Sequence, residues 1–163
     1  MRWTYLLITA SVLVLDQITK ALVVARITPE RVVSVVPGFF RLVMVENRGI
    51  AFGLLADSGS RVTLGIVVVL STAALGLICW LLFKDGPFSA LAGSGLALIL
   101  GGACGNLLDR LLRAGAVVDF LDFYVGRNHW PAFNVADTAI VAGMGMLAWD
   151  LLQAISKPSV RRS

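Results

Sequence analysis

Carboxyl groups at the edges of apolar stretches are the residues of this sequence with the clearest capacity for chemistry. Asp119 follows Val117-Val118, and Asp137 lies near the start of a long apolar stretch. Two carboxyl groups close together in a partly dry site share one proton, because both cannot ionise at short range. The ionised group can take a proton from water, while the protonated group donates to a carbonyl oxygen or a leaving amine. This pair predicts hydrolysis that needs no metal, cofactor or nucleophilic side chain.

Further polar residues lie at the ends of the apolar stretches or between them, a costly arrangement in a membrane unless they have a function. In the four-helix topology derived below, they all fall on the side away from the chain termini. We therefore expect one polar site in the mouth of a helix bundle. Its predicted members, besides Asp119 and Asp137, are Asp16, Asn47, Asn106, Asp109, Arg110 and Asn134.

Local explanations remain open for the residues of the first and third apolar stretches. Asp16 and Lys20 are spaced i, i+4 and can neutralise each other near the membrane interface. Asp109 and Arg110 share a predicted helix face with Asn106, and as interfacial charges they could extend to lipid headgroups. The Asn106 amide is harder to explain in this way, because an amide in lipid needs a partner.

A local explanation also exists for Asn134 and Asp137. The segment Pro131–Asp137 is typical of a helix start. Asn134 is a good N-cap, and Asp137 at the third helical position suits the positive end of the helix dipole. Capping alone could explain both residues.

The elements that position these residues belong to a very apolar chain. Of its 163 residues, 58% are hydrophobic and 15% are charged, which exceeds what a soluble domain of this size can bury. At about 1.5 Å per residue, four stretches are long enough to span a bilayer. They predict an all-α membrane protein, a four-helix bundle that forms one domain over residues 1–163. The predicted spans are roughly 3–25, 62–83, 88–112 and 135–155.

Both chain termini therefore lie on one side, and two long connections, about 26–60 and 113–134, lie on the other. In the first connection, Val32–Val36 and Phe39–Val45 flank Pro37-Gly38 and predict a β-hairpin. The second connection is rich in aromatic residues. The short segment Lys84–Pro87 is expected to form a tight turn. Basic residues occur on both sides, so their distribution leaves the orientation open.

Small residues recur every fourth position in the third span, at Gly93, Ala97, Gly101 and Gly105. Such a stripe lets helices pack closely in lipid, either within one chain or between two copies. The oligomeric state stays open on this evidence, and a monomer would suffice.

Composition also excludes several classes of function. The net charge of +4 comes from scattered basic residues, which argues against nucleic-acid binding and favours a mild preference for anionic lipid. Cys79 and Cys104 lie in apolar stretches without a clustered histidine, so neither a disulfide framework nor a zinc site is expected. The first apolar stretch is too long for a cleaved signal peptide, and we expect it to be retained.

Five motifs, in order and over nearly the whole chain, resemble those of the bacterial lipoprotein signal peptidases, or signal peptidase II. The family patterns are DQxTK, NxGxAFG, GNxxDR, VVDF and FNxAD. The family often has a histidine before VVD, where this chain has Ala116. The matching segments are Asp16–Lys20, Asn47–Gly53, Gly105–Arg110, Val117–Phe120 and Phe133–Asp137.

The resemblance implies an aspartic endopeptidase of the bacterial cytoplasmic membrane, with cytoplasmic termini and an active site near the extracytoplasmic face. It would cleave diacylglyceryl-modified prolipoproteins just before the lipidated cysteine, in contact with membrane lipids. The first loop would form a small β-cradle on the membrane.

The resemblance also implies a role for each matching residue. Asp119 and Asp137 would be the catalytic dyad. As a separate hypothesis from the residue type, Arg110 either pairs with Asp109 or donates to a substrate carbonyl, and the sequence does not decide between the two. The substrate site would be lined by Asn47, Asn106, Arg110 and Asn134, with support from Asp16, Lys20, Asp109 and Gly49.

Two other classes of protein compete with a peptidase. A proton-coupled small membrane transporter would also hold carboxylates in its spans, but it predicts acidic groups near the midplane and broken helices there. A structural membrane protein would leave the amides and both aspartates of the predicted site without a shared purpose.

Overall fold

The computed structural model describes residues 2–49, 61–84 and 89–156. The four helices in these ranges are all long and apolar enough to cross a membrane, which confirms the predicted four-helix architecture. Their bounds lie within two residues of the expected ones. In chain order the elements are α1 (Arg2–Arg26), β1 (Val33–Val36), β2 (Phe40–Asn47), α2 (Arg61–Phe83), α3 (Ala90–Leu112), β3 (Val117–Val125), β4 (Asn128–His129) and α4 (Val135–Ser156).

Two predictions fall partly outside the described residues. Of the tight turn expected over Lys84–Pro87, only Lys84 is described. Of the motif Asn47–Gly53, only the residues up to Gly49 are described. Helix α3 begins after the N-cap Ser89, whose side chain accepts a hydrogen bond from the backbone N–H of Ala92 (2.9 Å).

The predicted stripe of small residues joins α3 to α1 within the chain. A Cβ atom added at Gly101 would lie 2.7 Å from the Thr9 carbonyl oxygen. Thr9 Oγ1 donates to the Ala97 carbonyl (3.0 Å), and Ala97 is fully buried. Because α1 already occupies this stripe, close packing inside one chain accounts for it.

A second set of small residues, which the sequence analysis did not identify, joins α3 to α4. A Cβ at Gly95 would lie 2.8 Å from the Gly143 carbonyl oxygen, and a Cβ at Gly102 would collide with the Ala136 carbonyl oxygen. The two stripes let the backbones of α1 and α4 pack directly against the backbone of α3. Helix α3 is accordingly the most buried of the four spanning helices described.

An antiparallel sheet in the order β1-β2-β3-β4 lies at the end of the bundle away from the chain termini. The predicted hairpin is confirmed as β1 and β2, and its turn uses Gly38 with a positive φ of 79°, which glycine tolerates without a steric cost. Strands β3 and β4 enlarge the sheet beyond the prediction. In the pairing of β2 with β3, Val45 lies opposite Asp119 and Asn47 lies opposite Val117.

The sheet is anchored to both α1 and the segment that enters α4. Val118 and Phe120 pack against Val23 and Ile27 near the end of α1. The backbone N–H groups of Phe120 and Leu121 donate to the Phe133 carbonyl at 3.0 and 2.8 Å. These contacts bring the strand that carries Asp119 against the start of α4.

Candidate active site

Asp119 and Asp137 are brought together through Asn134, although they lie on β3 and α4. The Asn134 side chain donates from Nδ2 to Asp119 Oδ1 (2.7 Å), and its backbone N–H donates to Asp137 Oδ2 (3.2 Å). Both carboxyl groups therefore contact one fully buried residue at the same end of the bundle. This is the juxtaposition that the sequence analysis predicts.

The first turn of α4 holds Asp137 by reciprocal capping. The backbone N–H of Asp137 donates to Asn134 Oδ1 (2.9 Å), while Asp137 Oδ2 accepts from the Asn134 backbone. Asp16 Oδ1 accepts from the backbone N–H of Ala136 (3.0 Å), so α1 satisfies another donor of this turn. Asn134 thus both caps α4 and binds Asp119.

Asn47 holds Asp119 from the other side. Its Nδ2 donates to Asp119 Oδ2 (3.0 Å), and its Oδ1 accepts from the backbone N–H of Gly49 (2.9 Å). Because the Gly49 N–H needs an acceptor, it fixes which end of the Asn47 amide faces Asp119. Both oxygens of Asp119 therefore receive an amide N–H.

Arg110 binds two backbone carbonyls, and its donation to a substrate carbonyl stays a prediction. Its Nη2 donates to the Gly49 carbonyl (3.2 Å) and its Nη1 donates to the Asn106 carbonyl (3.3 Å). The alternative in which Arg110 pairs with Asp109 is wrong for this structure, because Asp109 is bound by Lys20 and Arg113 instead. Arg110 ties the segment just after β2, in the first long connection, to α3.

Behind the two aspartates lies a buried ion cluster formed by Lys20, Asp16 and Asp109. Lys20 Nζ lies 2.8 Å from Asp16 Oδ2 and 3.0 Å from Asp109 Oδ2. All three residues are fully buried. The explanation of Asp109 as an interfacial charge that extends to headgroups is therefore wrong, because a cation from α1 compensates its charge inside the bundle.

Asn106 connects this ion cluster to Asp137. Its Nδ2 donates to Asp137 Oδ1 (2.8 Å), and its Oδ1 accepts from Lys20 Nζ (2.9 Å) and from Asn134 Nδ2 (3.2 Å). The partner that the Asn106 amide requires is thus supplied by α1 and α4 together.

Two contributors were missed by the sequence analysis. Gln17 Nε2 donates to Asp16 Oδ2 (3.1 Å) and to Asp109 Oδ1 (3.3 Å). The backbone N–H of Val118 donates to Asp109 Oδ2 (3.1 Å), which fixes β3 one residue before Asp119. Gln17 lies within a family motif, but nothing in its spacing shows that it meets α3.

The electrostatic setting distinguishes Asp119 from an ordinary surface carboxylate. Burial raises the pKa of Asp119 from 3.8 to about 6, against hydrogen bonds from Asn47 and Asn134 that lower it. The nearby charge of Asp137 contributes to this rise in the pKa, while the charge of Lys20 opposes it. A carboxyl group with this pKa can hold or release a proton near neutral pH.

A second polar cluster lies further along the sheet, around Asp122. Asp122 Oδ2 accepts from Arg41 Nε (2.6 Å), and its Oδ1 lies 3.0 Å from His129 Nδ1. Burial alone would raise the pKa of Asp122, but the hydrogen bonds to His129 and Arg41 and their charges outweigh burial and lower it. Nowhere in the described part of the chain are three acidic, histidine or cysteine side chains grouped to hold a metal ion.

The opposite pKa shifts on β3 predict opposite stability effects. Between pH 3.8 and about 6, folded Asp119 binds a proton that the unfolded chain releases, so stability falls as pH rises through this window. Above about pH 6, keeping Asp119 ionised in the folded state costs about 3 kcal/mol of stability. Asp119→Asn should recover about 1–2 kcal/mol of this, because the new amide removes the charge but loses one hydrogen bond. Thermal unfolding in detergent should show a higher Tm for Asp119→Asn at about pH 7.5 and a smaller gain at about pH 4.5.

Asp122→Asn is the matched control on the same strand. Because the pKa of Asp122 is lowered by folding, its carboxylate stabilises the folded state at every pH above the ordinary aspartate pKa. This contribution is lost only as the pH falls through the pKa of the folded state. Asp122→Asn should therefore lower the Tm at both pH values. Equal shifts of the same sign in the two variants at about pH 7.5 would contradict the assignment.

Comparison with known families gives a direct match. The family described as signal peptidase (SPase) II matches residues 8–153 of this chain. The lipoprotein signal peptidase of Syntrophotalea carbinolica is 46% identical, over 87% of this chain and 86% of that protein. That of Solibacter usitatus is 44% identical, over 94% and 93% of the two chains. That of Geobacter sulfurreducens is also 44% identical, over 94% and 96%.

Solved structures agree with these sequence relatives. A bacterial membrane enzyme determined by the in meso method at 2.3 Å resolution superposes with a TM-score of 0.86 and 27% identity, covering 98% of this chain and 94% of that one. A second, determined at 1.9 Å, gives a TM-score of 0.80 and 28% identity. With a family match over most of its length and relatives above 40% identity, this chain belongs to the signal peptidase II family.

Proposed function

We propose that this protein is a membrane-embedded aspartic endopeptidase that removes signal peptides from diacylglyceryl-modified prolipoproteins. It cuts immediately before the lipidated cysteine. Membership of the signal peptidase II family and relatives named lipoprotein signal peptidase support the substrate class. The observation that carries the catalytic type is the contact of both Asp119 and Asp137 with Asn134.

The proposed chemistry uses one carboxylate and one carboxylic acid. The ionised group takes a proton from the attacking water while the acid protonates the carbonyl oxygen of the scissile bond. The first group then returns its proton to the leaving amine, and the second recovers its own as the carbonyl reforms. The four amide donors on Asp119 and Asp137 fix both groups before substrate binds.

The position of the dyad suits a substrate anchored by lipid. Asp137 lies in the first turn of α4 and Asp119 lies on β3, so both are at the end of the bundle. Exposed apolar side chains on the spanning helices, such as Val69 and Val141, offer a surface for acyl chains. A peptide bond next to a lipidated cysteine is held at this depth by its own lipid.

Arg110 and the amides are proposed to bind the substrate backbone. A guanidinium has five N–H donors, and only one on each terminal nitrogen of Arg110 is used in the described contacts. The remaining N–H groups can donate to a substrate carbonyl oxygen. Asn47 and Asn106 would contribute to the same surface. Asn134, predicted from the sequence to line the substrate site, is fully buried and instead holds the two aspartates.

The proposed location is the bacterial inner membrane, with cytoplasmic termini and the dyad near the extracytoplasmic face. The whole chain, residues 1–163, would act as one membrane domain. A monomer suffices for this proposal, because the glycine stripes of α3 pack against α1 and α4 of the same chain. A transporter is less well supported, because the dyad lies at a helix start and on a strand, and the described helices run without a break.

The proposal is tested with the purified protein in lipid nanodiscs and a lipidated prolipoprotein. Mass spectrometry should find one cut, directly before the lipidated cysteine. The matched control is the same prolipoprotein without lipid, which should be cleaved far more slowly because nothing holds it at the dyad. Absence of cleavage, or a cut elsewhere, would refute the proposed function.

A further inference from the structure

The ion cluster behind the dyad determines which end of the Asn106 amide faces Asp137. An ammonium group has three N–H donors and no acceptor. Lys20 Nζ lies within 2.8–3.0 Å of Asp16 Oδ2, Asp109 Oδ2 and Asn106 Oδ1, so its donors are fully used. The amide nitrogen of Asn106 would be repelled at this position. Lys20 therefore turns the oxygen toward itself and the N–H toward Asp137.

Asp137 is thereby surrounded by groups that favour its ionised form. It accepts from Asn106 Nδ2 (2.8 Å) and from the backbone N–H of Asn134 (3.2 Å). It also occupies the third position of α4, where the helix dipole favours negative charge. Asp119 accepts only from two side-chain amides in its described contacts and has no helix N-terminus of its own.

We propose that Lys20 is a positioning residue that sets the distribution of the proton in the dyad. Acting through Asn106, it keeps Asp137 ionised, so that the shared proton rests on Asp119. This inference rests on the proposed function and assigns its two roles. Burial and the charge of Asp137 raise the pKa of Asp119 to about 6, although the direct charge of Lys20 lowers it, and the net rise agrees with a proton on Asp119. Other charges beside the dyad come from α1, with Asp16, and from α3, with Asp109 and Arg110.

The assignment gives a balanced reaction. Asp137 takes a proton from water as the water oxygen bonds to the carbonyl carbon, and Asp119 gives its proton to the carbonyl oxygen. The C–N bond then breaks as Asp137 passes its proton to the leaving nitrogen. The hydroxyl proton of the intermediate returns to Asp119 as the carbonyl reforms, which restores the starting state.

The test is the pH dependence of cleavage by Lys20→Met, a substitution that keeps the unbranched side chain, shorter by one atom, and removes its charge. The Asn106 amide is then free to turn, and Asp137 loses a hydrogen bond to its ionised form. We expect the acidic limb of the kcat/KM profile to move up by about one pH unit. Arg113→Met is the matched control, because Arg113 also binds Asp109 but contacts no dyad amide. Its acidic limb should stay at the parent position.

A second variant keeps the test valid if Lys20→Met does not fold. Asp16→Asn combined with Lys20→Met removes one charge of each sign, and the new amide oxygen can still accept from Ala136. The same upward shift is expected. In an Asn106→Leu background, Lys20→Met should add no further shift, because Lys20 acts through the amide.

The outcomes separate the two proposals. If the parent protein does not cleave, the proposed function fails. If the parent cleaves and both Lys20→Met and the double variant keep the parent's acidic limb, only the role of Lys20 is refuted. Additive shifts in the Asn106→Leu background would likewise refute it, since they require a route that bypasses Asn106.

Discussion

Replacing either Asp119 or Asp137 by asparagine should reduce kcat/KM for a lipidated prolipoprotein by about 10³-fold or more. An amide has nearly the shape of a carboxyl group, but it can neither take a proton from water nor give one to the carbonyl oxygen. Each substitution therefore removes one of the two proton transfers and leaves the other carboxyl group without its partner. The measurement is the rate of signal-peptide release under single-turnover conditions.

The double variant makes this prediction sharper. Groups that act as a unit lose activity in a strongly non-additive way, so Asp119→Asn with Asp137→Asn should be hardly slower than either single variant. Asp122→Asn is the control on the same strand, because Asp122 binds Arg41 and His129 rather than the dyad. It should retain cleavage. A single dyad variant that cleaves at close to the parent rate would refute the two-carboxylate mechanism.

Local patterns were enough to predict the parts of the site that depend on one element. The length of the apolar stretches predicts the helices, because a bilayer fixes how many residues must be apolar. The spacing of Asp16 and Lys20 predicts their ion pair, and the spacing of Asn134 and Asp137 predicts their capping contacts. These contacts span four residues or fewer, so helix geometry alone determines them.

The contacts between elements could not be predicted in this way. Asp109 binds Lys20 rather than its neighbour Arg110, because α1 approaches α3 along Gly101 and Gly105. The recurrence of small residues at every fourth position of α3 predicts that another helix packs closely against it. It does not predict which helix that is. The amide contacts of Asn106 depend on three elements at once, and no spacing along the chain encodes them.

Strand β3 was missed although its composition contains a signal. Val117–Val125 is rich in β-branched and aromatic residues, which is typical of a strand. It is continuously buried at its start instead of alternating, since its first residues are covered by α1 and by the segment before α4. Its pairing with β2 joins residues 70 or more positions apart, and it depends on the bundle that holds the two connections together.

Gly102 is a position in the helix bundle where the addition of a single methyl group should strongly impair cleavage. A Cβ there would lie 2.9 Å from Ile140 Cγ1 and closer still to the Ala136 carbonyl oxygen, which belongs to the first turn of α4. Backbone cannot yield as a flexible side chain does, so the start of α4 must move away from α3. Asp137 moves with it and loses its alignment with Asn106.

We expect Gly102→Ala to lower kcat/KM by about 10²-fold, the cost of a displacement near 1 Å at a reacting group. Overpacking should also lower the free energy of unfolding by about 1–3 kcal/mol. Cleavage assays and thermal unfolding in the same detergent measure the two effects separately.

Two glycines serve as matched controls for this prediction. Gly95 lies in the same seam between α3 and α4, where a Cβ would meet the Gly143 carbonyl at 2.8 Å, about two turns from Gly102. Gly95→Ala should cost similar stability but much less activity, because the start of α4 can stay in place. Gly145 has nothing within 4 Å of its added Cβ, and Gly145→Ala should leave cleavage unchanged. If Gly102→Ala and Gly95→Ala lose stability equally and cleave equally well, the seam holds the helices together without setting the position of Asp137.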